Sequence, residues 1–147
     1  HPMRKLSAIL SLLAVAAFVS STSTVRAGVN ADCVVTIPAG STAGTNTVTL
    51  LDGGALIQRI SVAASAIAVG ITNTLSVLAD DGAVGLAVWS GDLAQAASTT
   101  VYPRLHVVDD NSVTNTECYV ADTLEIRATI PAATNVASVL TFRIQSR

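Results

Sequence analysis

From residue 33 onward the chain alternates apolar and polar positions in short runs, each broken by Gly, Pro, Asn or Asp. A period of two is the mark of strands with one face buried. Residues 33–37 form a first candidate strand, stopped by Pro38-Ala39-Gly40. Residues 45–51 set Thr45, Thr47 and Thr49 on one face and Val48 and Leu50 on the other. After the turn signal Asp52-Gly53-Gly54, residues 55–62 place Leu56, Ile60 and Val62 together. Residues 73–79 point Leu75, Val77 and Ala79 inward, ahead of a second turn at Asp80-Asp81-Gly82.

The later half repeats the pattern. Residues 84–90 carry Val84, Leu86 and Val88 on one face and Trp89 on the other. Residues 99–102 stop at Pro103, and residues 104–108 stop at Asp109-Asp110-Asn111. Residues 117–121 and 123–130 are split by Asp122, with Leu124, Ile126, Ala128 and Ile130 facing one way. Residues 136–145 close the chain, alternating Leu140, Phe142 and Ile144 with Thr141, Arg143 and Gln145. The Ala-rich stretches 62–69 and 92–97 read as a helical turn each. No long amphipathic helix and no βαβ alternation is visible, which argues against a parallel sheet. The expectation is an all-β fold: an antiparallel β-sandwich, jelly-roll or Ig-like, of about eight or nine strands.

Residues 1–27 follow a different pattern. Arg4 and Lys5 precede the uncharged apolar run 6–19, and a Ser/Thr stretch leads to Val25-Arg26-Ala27. This is the layout of a secretory signal peptide, with Val25 and Ala27 at the −3 and −1 positions of the cleavage site. The competing reading is a retained hydrophobic arm packed on a neighbouring subunit. Two segments result: 1–27 as signal-like or arm, and 28–147 as the β domain. Contact with a membrane is expected only through residues 1–27, and only if they are not cleaved.

Composition sharpens this division. Half of the 147 residues are hydrophobic, 12% are charged and 3% are aromatic, so the apolar content is aliphatic. The formal charge of −2 becomes −5 once residues 1–27 are set aside, and the remaining cations are Arg59, Arg104, Arg127, Arg143 and Arg147, with no lysine. Nucleic-acid binding needs a basic patch and is not expected.

Few residues carry candidate chemistry. Cys33 and Cys118 are a candidate disulfide pair if the chain is exported, and two buried free thiols otherwise. His106 is the only histidine after residue 1, and no nucleophile or carboxylate is placed beside it by sequence. Asp80-Asp81-Gly82 and Asp109-Asp110-Asn111 read as hairpin turns; neither has EF-hand spacing. Walker, dinucleotide-binding and zinc-protease motifs are absent. Trp89 and Tyr102 are candidate interface anchors on outer faces. No cofactor, metal or enzymatic activity is expected.

Several phrases resemble small virion proteins of tailed bacteriophages that decorate capsids or form head fibres. They are Thr47-Val48-Thr49-Leu50 with Asp52-Gly53-Gly54, the Asp81-Gly82 turn, and Thr99-Thr100-Val101-Tyr102-Pro103. Tyr119-Val120-Ala121-Asp122-Thr123-Leu124-Glu125-Ile126 and Leu140-Thr141-Phe142-Arg143-Ile144 complete the set. The resemblance implies a β-sandwich bound to a shell lattice, often as a trimer, without enzymatic activity and located on the virion surface. Its partners would be further copies of the chain, a capsid protein lattice, or both. The alternative is a secreted bacterial or archaeal cell-surface or pilus-like filament subunit, which accounts for the leader and the two cysteines.

Overall fold

The computed structural model describes residues 30–50, 54–79 and 86–147, and these form an antiparallel β-sandwich. Its strands are β1 (Asn30–Ile37), β2 (Ala43–Thr49), β3 (Ala55–Ala64), β4 (Thr72–Ala79), β5 (Leu86–Ala94) and β6 (Ser98–Val101). They continue as β7 (Leu105–Val108), β8 (Thr114–Glu117), β9 (Val120–Ala121), β10 (Thr123–Thr129) and β11 (Ser138–Ser146). One sheet runs β1-β11-β3-β6, with β9 paired to the start of β3. The second runs β2-β10-β4-β5, and β7 and β8 form a separate two-stranded ribbon. The N-terminal segment 1–27 and the turn signals at 52–53 and 80–82 lie outside the described residues.

The alternation explains why these layers stack. On β1 the inward positions Ala31, Cys33, Val35 and Ile37 are buried, while the intervening residues are exposed. On β11 Leu140, Phe142 and Ile144 are fully buried, and on β10 Leu124, Ile126 and Ala128 are. Two such faces from different sheets make one aliphatic core. The chain changes sheet at most connections, with β4 to β5 and β7 to β8 as the within-sheet exceptions.

Two irregularities alter the expected faces. Gln145 pairs with Arg59 but Ser146 pairs with Ile57, so Gln58 is an extra residue in β3. A bulge of this kind shifts the alternation by one. Ala55 and Ile57 are therefore buried before it, and Ile60 and Val62 after it, while Leu56 is half-buried and leaves the face expected of it. The second bulge is Val88, skipped between the pairs Val77–Trp89 and Leu78–Ala87. It turns Trp89 to the side of fully buried Val77, where the indole packs against the core.

The described residues hold eleven strands rather than eight or nine. The expected strand at 117–121 is two short strands, β8 and β9, and 114–117 completes a hairpin with β7. The Ala-rich stretches are not helical. β3 continues to Ala64 and β5 to Ala94, and Ala96 takes a positive φ of 58° in the tight turn into β6. Ala64 N–H donates to Ala97 O and Ala96 N–H to Ser65 O, which ties this crossing to the end of β3.

Candidate functional site

A concave surface lies on the outer face of the β1-β11-β3-β6 sheet, and register builds it row by row. Asp32 pairs with Arg143, Arg143 with Ser61, and Ser61 with Thr100. Directly paired residues in antiparallel strands project to the same face, so these four side chains form one transverse line. The adjacent row is Val34, Thr141, Ala63 and Ser98. On the other side, Asn30, Gln145 and Arg59 form a third row. Ile60 pairs with Val101, the last residue of β6, and Tyr102 follows where the ladder ends.

The relief of this face follows from residue size. Short side chains occupy its middle (Ser61, Ala63, Ser98, Thr100 and Thr141), while Arg59 and Arg143 stand beside them. The result is a groove of about 580 Å³.

Its electrostatics are uneven. Arg143 holds Asp32 through two hydrogen bonds, from Nε to Oδ1 at 2.8 Å and from an Nη to Oδ2 at 3.1 Å. That hydrogen bonding keeps the Asp32 carboxyl below its usual range and raises Arg143, in both cases mainly through the shared bond. Because the folded pKa of Asp32 is depressed, the pair contributes above the unfolded value of 3.8 and fades as pH falls through the lowered one. Both side chains are more than half exposed, so the contribution is small. Ser61 and Thr100 share a hydroxyl hydrogen bond at 3.1 Å. Arg59 forms no ion pair among the described residues, which leaves it as the uncommitted cation of the groove.

Tyr102 is 63% exposed where the chain leaves β6. Its position is fixed by its neighbours: Pro103 is buried, and Arg104 Nη1 donates to the carbonyls of Gln58 and Pro103 at 3.0 and 2.7 Å. Trp89 lies on the other sheet, at edge strand β5, so the two aromatics do not share one outer face. A Cβ on Gly91 would come within 2.7 Å of the Trp89 ring, and only glycine leaves the indole room to lie there. Trp89 is thus a half-buried edge residue turned toward the core, and not on the outer face expected of it.

The candidate disulfide is not formed, and the sheet order gives the reason. Cys33 on β1 pairs with Phe142, which pairs with Val62 on β3. Cys118 precedes Tyr119, whose carbonyl accepts from Ile57 N–H on the far side of β3. Strands β11 and β3 therefore stand between the two cysteines, and three strand spacings of about 4.8 Å amount to roughly 14 Å. A disulfide needs Cα atoms about 4.4–6.8 Å apart. Cys33 is a buried thiol pushed up in pKa by desolvation, and Cys118 is half-buried. A thiol-reactive maleimide added to the native chain is expected to modify Cys118 readily and Cys33 only after denaturation. A bridged chain, with neither thiol reactive before reduction, would contradict this arrangement.

The remaining sequence candidates resolve into local structure. Asp109 Oδ1 accepts from the N–H groups of Asn111 and Val113, both at 2.9 Å, and Ser112 takes a positive φ of 62°. This carboxylate closes the β7–β8 turn, as Asp does in turns generally. His106 is exposed on β7, with Thr116 Oγ1 at 3.4 Å from Nδ1. No cluster of three His, Cys, Asp or Glu side chains suited to a metal occurs among the described residues. The groove itself was not anticipated, because its residues come from four strands and Asp32 and Arg143 are 111 positions apart.

No protein-family model and no curated protein sequence matches the chain. Among solved structures, one titled "CBM4 structure and function" aligns with 79% of this chain and 84% of its own, at 18% identity and a TM-score of 0.34. The fold description rests on the strand pairing of the chain itself.

Proposed function

We propose that the chain is a non-enzymatic structural subunit that assembles on a virion surface, as a decoration or fibre protein. The observation that carries this reading is the character of the outer face of the second sheet. On the β2-β10-β4-β5 sheet the outward rows contain Thr45, Thr47, Thr49, Thr74, Thr129 and Ser76, and the charges within β10 are Glu125 and Arg127, bonded to each other. Covering a charge is expensive unless it is paired, and immobilising Lys or Glu loses about 1.5–2 kcal/mol of rotamer entropy. A lysine-free, hydroxyl-rich face whose β10 charges are bonded to each other, with Asp92 accepting from Thr74, lowers both costs. Such a face suits a surface that spends its life against another protein.

Assembly also has an open edge to use. Strand β5 borders its sheet over nine residues, with Leu86 46% exposed. Unpaired edge N–H and C=O groups accept a further strand. Sedimentation velocity of the full chain over a wide concentration range, with mass spectrometry of purified particles, tests the proposal. The expected result is self-association and recovery of the chain from particles. A monomer at every concentration that is absent from particles would sink it. Recovery from culture medium of a filament lacking residues 1–27 would favour a secreted surface subunit instead.

A further inference from the structure

We infer that the groove on the β1-β11-β3-β6 face binds a short acidic saccharide, a sugar chain bearing carboxylates. The inference is independent of the assembly role, since it concerns a ligand on one face and not contacts between subunits. Three features select this chemistry. The first is Arg59: it stands at the groove without an ion pair among the described residues, whereas Arg143 is committed to Asp32 and Arg104 to two backbone carbonyls. A guanidinium recognises a carboxylate through two parallel hydrogen bonds.

The second feature is the floor. Ser61, Ser98, Thr100 and Thr141 offer hydroxyls that both donate and accept, which is what a ring carrying several hydroxyls requires. Strand spacing sets these groups in a grid with a pitch of about 4.8 Å. The third is Tyr102, exposed just past the end of β6 and two residues beyond Thr100. Its ring supplies an apolar face with a polar tip, which suits the C–H face of a sugar. The volume of about 580 Å³ lies within the usual range of ligand sites.

Other carboxylate or anion carriers fit less well. A peptide strand needs unpaired backbone groups at a sheet edge, and the centre of this groove is formed by β11 and β3, which are paired on both sides. A nucleic acid needs many cations along its backbone, and the groove has one uncommitted arginine.

Isothermal titration of the full chain with trigalacturonic acid tests the inference, with cellotriose as the neutral sugar and triglutamate as the carboxylate without a sugar. Trigalacturonic acid is expected to bind best. Arg59→Gln is expected to weaken it about tenfold or more and Tyr102→Ala severalfold, whereas Arg127→Gln on the opposite face leaves it unchanged. Circular dichroism checks that each variant is folded. Absence of binding at millimolar trigalacturonic acid overturns the inference. So does equal binding of triglutamate, equal binding of cellotriose, or an equal loss in Arg127→Gln.

Discussion

Phe142→Ala is expected to cost about 3–5 kcal/mol of folding stability, the range for truncating a buried aromatic ring. Phe142 is fully buried near the middle of β11, which is itself a central strand paired on both sides. Its register neighbours are Cys33 and Val62, both small, so the ring fills the space they leave. The surrounding core is aliphatic, with Trp89 held over Gly91 at the sheet edge and Tyr119 only partly buried at its margin, so the space left by the ring is poorly refilled. Domains of this size have about 5–15 kcal/mol in total, so the variant stands near the limit of folding. Urea denaturation followed by far-ultraviolet circular dichroism measures it. Phe142→Leu keeps most of the volume and is expected to lose well under half as much. A Phe142→Ala variant within about 1 kcal/mol of the parent would show that the ring does not hold the core.

The same ring illustrates what the sequence discloses. Alternation on β10 and β11 predicts the buried positions correctly because both strands are regular and pair on two sides, so that side-chain direction follows residue parity. Parity fails at Gln58 and Val88, where one extra residue reverses it. That reversal is why Leu56 and Trp89 face other than expected. Nothing in the residue types marks either bulge, since a bulge depends on how the partner strand aligns. The β7–β8 ribbon was half visible. The Asp109 turn is readable in sequence, but Thr114–Glu117 lacks the apolar alternation of a buried strand because all four residues are exposed.

The groove was less legible than the core for the same physical reason. A core position announces itself through hydrophobicity, whereas Asp32, Ser61, Thr100 and Arg143 are ordinary outward residues on their own strands. They become a site only when β11 inserts between β1 and β3. The disulfide expectation failed on that same insertion. The first strand does neighbour a late one, but the neighbour is β11, and Cys118 lies beyond β3.

Gly44 is where the sandwich is closed, and substituting it has the second large expected effect. Strand β1 has β11 on one side only, and its other edge meets β2 from the opposite sheet. Asn46 Nδ2 donates to the Val34 carbonyl at 2.7 Å, which occupies one of the free acceptors on that edge. At Gly44 the backbones come closer still: a Cβ there would fall on the Thr36 carbonyl oxygen, with the carbonyl carbon only 2.8 Å away. The obstruction is main chain, and Thr36 is held in the ladder opposite Val139, so it has little freedom to retreat. Even a methyl group must therefore push β2 off β1. Gly44→Ala is expected to cost about 1–3 kcal/mol, as overpacking does, and Gly44→Val more. The loss carries a second signature, because parting the strands frees the β1 edge, and a long free edge invites pairing with other chains. Hydrogen exchange should accelerate at the freed β1 amides, and aggregation on heating should increase beyond what Phe142→Ala produces at equal stability. A Gly44→Ala chain with the unfolding midpoint and exchange rates of the parent would mean that β2 does not seal β1. The β1 edge of the parent chain would then be open alongside that of β5, and β5 would not be singled out for ordered assembly.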